Sequence, residues 1–170
     1  HQPQWTTILS DAVAIASYYD AKGNQIYLQT KSTLYHFNFN SKKLDVIDTY
    51  DGIDFEPLNF GMIKRSNGML WAYRKEIHLY NSHLKKETTL AHLAQNPFSL
   101  SGKYISCLYE SQDGVMWVGT NGFGLNKYNP NTAVFNFIGA FYGAPLSLSE
   151  NYVSAVYTAD DNELYVGTTA

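Results

Sequence analysis

Cysteine is nearly absent: Cys107 is the single thiol in 170 residues. One thiol excludes an intrachain disulfide framework and a cysteine-rich zinc site. It does not fix the compartment, because large secreted domains often lack disulfides. Charge is also scarce. Charged residues make up 16% of the chain, against roughly 25% in an average soluble domain. The net charge of −3 argues against a surface that tracks a polyanion, which needs clustered Lys and Arg. No apolar run approaches the roughly 18 residues of a membrane span. The opening His1-Gln2-Pro3-Gln4 has no charged-then-apolar signal layout, so any signal has been removed or lies outside this piece. Ala-Glu-Lys-Leu patterning of the helical kind is sparse. Aromatics are plentiful, at 15% with 14 Tyr, 9 Phe and 3 Trp, within an apolar content of 45%. That composition suffices for a core and favours strands.

The aromatics recur in one setting. Ile26-Tyr27-Leu28, Leu70-Trp71-Ala72, Met116-Trp117-Val118 and Leu164-Tyr165-Val166 follow one another at nearly even spacing. A turn precedes each: Gly23-Asn24, Asn67-Gly68, Asp113-Gly114 and Asp161-Asn162. Second segments follow in the first three modules, running Leu34 to Asn38, Ile77 to Asn81 and Leu125 to Asn129. Third segments run Leu44 to Ile47, Thr88 to Leu90 and Val134 to Phe137. Ser99-Leu100-Ser101 before Tyr104 to Tyr109 returns as Ser147-Leu148-Ser149 before Tyr152 to Tyr157, at the same offset that separates Trp117 from Tyr165. Two independent segments repeating at one offset make chance similarity a poor explanation.

Each module therefore contains four runs too short for helices, separated by turn chemistry. Asn67-Gly68 and Asp113-Gly114 are expected as two-residue hairpin turns, whose central residues tolerate positive φ. Four short antiparallel strands in a module of this length describe a β-propeller blade, and blades must stack to bury both faces. The chain is thus expected to be all-β, with about four consecutive four-stranded blades of a larger, seven-bladed propeller. Residues 1–10 would end a preceding blade, with Trp5 to Leu9 as its last strand. Blades would occupy 11–50, 51–92 and 93–139, and a partial blade 140–170. The third strand of that last blade is missing, so further blades are expected outside this piece. Tyr27, Trp71, Trp117 and Tyr165 are expected to wedge between blades, with Gly114, Gly119 and Gly167 as repeat glycines.

The third module, Asp113-Gly114-Val115-Met116-Trp117-Val118-Gly119-Thr120 through Leu125-Asn126-Lys127-Tyr128-Asn129-Pro130, resembles the two-component regulator propeller repeat. That repeat shows a DG turn, a W-[VI]-G-T strand, a Gly-rich hairpin, Leu-x-x-Tyr and an Asp/Asn-Pro turn. The fourth module matches through Leu164 to Thr168. Modules one and two depart from V-G-T at Leu28-Gln29-Thr30 and Ala72-Tyr73-Arg74, and Phe123 stands where a Gly is usual. The resemblance is close over residues 99 to 170 and looser over 11 to 98. It implies the periplasmic part of a hybrid two-component sensor of Gram-negative gut bacteria, in which two propellers precede a β-sandwich, a membrane helix and a histidine kinase. Such receptors are expected to be homodimers of an inner-membrane protein, and many sense oligosaccharides to control glycan utilisation. No kinase part lies in this sequence.

Catalytic motifs are not legible. His36, His78, His83 and His92 form no HxH or HExxH arrangement, so no metal is expected. Gly119, Gly122 and Gly124 do not spell GxGxxG and lead into a strand, which leaves a hairpin rather than a phosphate cradle. Cys107 alternates with apolar neighbours and reads as a buried, inert thiol. No G-x-S-x-G elbow occurs. No cofactor, nucleic-acid partner or membrane contact is expected. The remaining candidates are rim residues. Asp51, Asp54 and Glu56, together with Asp48, cluster in one connection, and Arg74, Lys75, Asn121, Phe123, Phe98, Phe141 and Tyr142 belong to connections on the same propeller face. Carboxylates, amides and aromatic plates together suit a sugar. An ordinary solvated rim reads the same way. A propeller lyase or glycosidase would need carboxylates about 5 to 10 Å apart across a cleft, which clustering in one loop does not establish. A purely structural or interaction propeller also remains open.

Overall fold

The structure, a computed structural model, describes residues 7–9, 14–50, 59–141, 143–159 and 163–169. Every regular element among them is a strand. The chain forms two compact units, residues 1–56 and 57–170.

The first unit holds one antiparallel sheet of β1 (Ala16–Asp20), β2 (Gln25–Gln29), β3 (Thr33–Asn38) and β4 (Lys43–Thr49), in that order. Tyr27, Leu28, Leu34 and Phe37 are its buried apolar residues. Tyr27 stacks on His36 at 5.2 Å, a cross-strand pair in register. The expected leading strand does not appear where it can be judged: Thr7, Ile8 and Leu9 are not in a strand, and Trp5 lies outside the described residues.

The second unit holds three sheets. β5 (Gly61–Lys64), β6 (Leu70–Tyr73), β7 (Ile77–Tyr80) and β8 (Lys86–Leu90) form one meander. β9 (Ile105–Glu110), β10 (Met116–Thr120), β11 (Leu125–Asn129) and β12 (Val134–Ile138) form the next. β13 (Val153–Thr158) and β14 (Leu164–Thr168) pair alone. These are the short antiparallel strands of propeller blades.

The repeat seen in the sequence extends to the hydrogen bonds. Asn121 N–H donates to the Tyr104 carbonyl and Thr169 N–H to that of Tyr152, at 2.8 and 2.9 Å. Ser111 N–H to Val115 O recurs as Ala159 N–H to Glu163 O, at 2.9 and 3.1 Å. The hairpins before the aromatic strands correct the sequence reading. Gly68 N–H bonds Arg65 O and Arg65 N–H bonds Met69 O; Gly114 and Ser111 repeat the pattern. Positive φ falls on the glycine alone, +86° at Gly68 and +78° at Gly114. These are three-residue loops, a type I turn closed by a left-handed glycine, rather than two-residue turns with both central residues at positive φ.

One apolar cluster joins the first two sheets of this unit. Trp71, Tyr73, Ile77 and Leu79 meet Leu100, Ile105, Met116, Val118, Tyr128 and Phe135. Trp71 is fully buried and meets Tyr128 edge-to-face at 5.3 Å, the wedge its spacing predicts. Polar ties accompany the cluster. Arg65 pairs with Glu110 at 3.0 Å with both side chains buried, and its guanidinium also donates to Gly114 O at 2.6 Å. Tyr73 O–H donates to Ser106 O at 2.9 Å.

The third sheet leans on β9 and β10. Ser106 O–H donates to Val153 O, and the hydroxyls of Tyr109 and Thr158 meet at 2.6 Å. Gly119 is required by this approach: a Cβ there would lie 2.6 Å from Cys107 Sγ and 2.8 Å from Val153 Cγ1. The equivalent Gly167 meets nothing closer than 3.3 Å. Tyr165 is 53% exposed. No sheet among the described residues of its own unit covers it. Trp117 is half-buried, with Lys127 of its own sheet 5.5 Å over its ring.

Candidate functional site

The connections that enter the last two sheets build the site. Residues 91–104 link β8 to β9, and the hydroxyl of Ser99 closes this loop on itself. It accepts from Leu93 N–H at 3.0 Å and lies within hydrogen-bond distance of Leu93 O and Asn96 O. The loop that follows β12 repeats the device one module later: Phe141 N–H donates to Ser147 Oγ at 2.8 Å. Turn bonds recur with it, Asn96 N–H to Leu93 O and Ala144 N–H to Phe141 O.

Between the two loops stands the β10–β11 hairpin, whose tip carries Phe123. Thr120 draws the hairpin shut, its hydroxyl donating to Gly124 O at 2.6 Å. Gly102 leaves room for the Phe123 ring, because a Cβ at Gly102 would overlap it. Asn126 is fully buried and anchors the first loop. Its Oδ1 accepts from Ser101 N–H at 2.9 Å and its amide donates to Ser101 Oγ at 2.8 Å. Ser101 in turn donates to Phe123 O at 2.6 Å.

The result is an open cleft of about 410 Å³. Phe123, Phe137 and Phe141 line it and are exposed; Phe137 meets Phe141 edge-to-face at 5.8 Å. His92, Asn96 and Asn151 supply polar groups to the lining. Asn151 is held in place because its Oδ1 accepts from Ala140 N–H at 2.7 Å, while its backbone carbonyl accepts from Gly124 N–H.

Of the rim residues read from the sequence, Phe123 lines this cleft. Asn121 is half-buried at the hairpin base, with its N–H given to Tyr104 O. Arg74 is buried, its guanidinium 5.2 Å over the Phe60 ring, so it is not presented at the rim. Asp51, Asp54, Glu56 and Tyr142 lie outside the described residues. Phe141, one of the residues expected on the same face, lines the cleft. His92, Asn151 and Phe137 do not stand out as site residues in the sequence. Asn151 carries a faint signal there, since it follows the repeated Ser147-Leu148-Ser149.

Two other histidines and the thiol have partners of their own. His36 bonds Gln25 at 2.7 Å, and His78 meets Thr89 at 3.2 Å. Burial pushes the Cys107 thiol above its ordinary pKa, and hydrogen bonds from Ser106 and Gly119 offset this in part. A thiol shifted this way carries little thiolate at neutral pH.

Residues 99–122 match the family pattern described as "Two component regulator propeller". The comparison with curated proteins found no match. Solved structures share the fold. The extracellular domain of a B. thetaiotaomicron protein described as a one component system aligns with a TM-score of 0.65 and 19% identity, over 87% of this chain and 19% of its own. That of a B. thetaiotaomicron hybrid two component system aligns at 0.63 and 17% identity, over 98% and 22%. The WD40 β-propeller domain of Doa1 aligns at 0.62 and 12% identity, over 94% and 49%. The chain thus spans about a fifth of the length of the two bacterial domains. The match to the two-component regulator propeller pattern at residues 99–122 thus lies within a propeller fold.

Proposed function

We propose that this chain is a non-catalytic part of the extracytoplasmic, periplasmic sensor region of a hybrid two-component system, and that its cleft binds an oligosaccharide. The observation that carries the reading is the cleft itself. Connections belonging to the repeat hold three exposed phenylalanines around polar side chains, and pyranose C–H faces stack on such rings while hydroxyls meet amides and imidazole. The extracellular domains of similar fold support the compartment and the sensing role, as does the regulator-propeller repeat. Propellers of such sensors are generally non-catalytic. In the parent receptor the chain would join further blades and a homodimer. Signal would follow when ligand binds one arrangement of the ectodomain better than another.

The test is calorimetric titration and thermal shift of the chain with a panel of glycan oligosaccharides. At least one should give saturable heat, and Phe123→Ala should weaken it about tenfold, or ~1.4 kcal/mol. Uniform absence of heat and of thermal shift would overturn the reading. Release of shortened product during the titration would replace it with a propeller lyase or glycosidase.

A further inference from the structure

Resting on that reading, the structure assigns the cleft to an uncharged, polyhydroxylated ligand, with His92 Nε2 as the hydrogen-bond acceptor for one of its hydroxyls. The assignment begins at the imidazole. His92 Nδ1 lies 2.7 Å from the carbonyl oxygen of Leu100. A carbonyl oxygen only accepts, so Nδ1 must carry the proton. In the neutral ring Nε2 is then left as a lone-pair acceptor. His92 lines the cleft and is exposed to it, so Nε2 is the ring nitrogen still available to a ligand.

The neighbouring polar side chains complete the pattern. Ser99 Oγ is held by the Leu93 and Asn96 backbone, and Ser101 Oγ by Phe123 O and Asn126. Asn151 has its Oδ1 bonded to Ala140 N–H, which leaves its Nδ2 as a donor. The cleft therefore offers an acceptor and a donor beside apolar rings. A hydroxyl both donates and accepts, and satisfies the two together. A carboxylate or sulfate offers acceptors only, which do not complement an acceptor at His92 Nε2 and find no guanidinium or ammonium among the described lining side chains to compensate desolvation. Cationic ligands likewise find no carboxylate among them.

Neutral and anionic ligands of one size separate the outcomes. The chain is titrated at pH 8 with mannotetraose, xylotetraose and cellotetraose, and with tetragalacturonate as the anionic probe. A neutral tetraose is expected to bind. His92→Leu should weaken it about tenfold, whereas His92→Gln, which keeps an acceptor, should stay within about threefold of the parent. Thermal melting of both variants checks that the loop around Leu100 survives. If tetragalacturonate binds and the neutral probes do not, with binding lost in Phe123→Ala, the inference fails while the oligosaccharide reading stands. If a neutral probe binds equally well to His92→Leu, the role of His92 is wrong. If none of the four binds, this inference is overturned, and silence across the wider glycan panel takes the parent reading with it.

Discussion

Tyr73 shows how one hydroxyl reports on the contact between two sheets. Burial, with Cys107 nearby adding to it, pushes its pKa up to about 12. The protonated hydroxyl donates to Ser106 O across the interface. A phenol whose folded pKa lies above its unfolded value of about 10 stabilises the fold fully below pH 10, and that contribution is lost as pH rises through about 12. Tyr73→Phe should cost about 1 kcal/mol at pH 8, from the unmade hydrogen bond. In urea melts the gap between parent and variant should narrow from pH 8 to pH 11; a constant gap would contradict the assignment. The aromatic spacing makes Trp71 legible as a wedge, because a repeated ring at a repeated strand position has one structural use. Its partner Tyr128 is not legible as one, nor is Ser106 as the partner of Tyr73, since nothing in a strand's own pattern says which residue of the next sheet it will meet. His92 escapes a sequence reading for a related reason. Its chemistry depends on a carbonyl in another part of the loop, and only folding brings that atom to the ring.

At the scale of elements, turn chemistry is the most readable feature. Asn38 and Asn129 end β3 and β11, and Asn81 directly follows β7; each side chain accepts the backbone N–H two residues on, at 3.0 Å for Asn38, 3.0 Å for Asn81 and 2.9 Å for Asn129. That is the Asx turn that asparagine favours. The loop positions before Trp71 and Trp117 are equally plain, but not their geometry: an Asn-Gly or Asp-Gly pair serves a two-residue turn and a type I turn with left-handed glycine alike. The structure adds a reason for the second form. The carbonyl of Gly114 receives the Arg65 guanidinium, while Glu110 just before the hairpin accepts from Arg65 and from the Ser66 N–H and hydroxyl. The hairpin of one sheet is thereby latched to that of the next. Glu110→Ala should lower stability by about 3 kcal/mol in urea denaturation, because it strands a buried guanidinium. Replacing the pair together, Arg65→Met with Glu110→Leu, should recover most of the loss. If the double variant is as unstable as the single one, the latch acts through more than its charges.

Across the second unit, burial is unequal, and stability should follow it. β6 is buried along its whole length, and four of the five residues of β10 are buried. β13 and β14 alternate between half-buried and exposed for most of their length. In stacked repeats each sheet draws stability mainly from its neighbours. Amide hydrogen exchange should therefore be slowest in β6, β10 and β11, and at least tenfold faster in β14. Equal protection throughout would mean that the unit opens as one body. The two serine-closed loops bear on kinetics instead. A connection already knotted to its own backbone has surrendered its freedom during folding, so little further ordering accompanies capture of a ligand. Encounter at the cleft should then run at ordinary diffusive on-rates, without a slow rearrangement phase, and differences between ligands should appear in how long they stay.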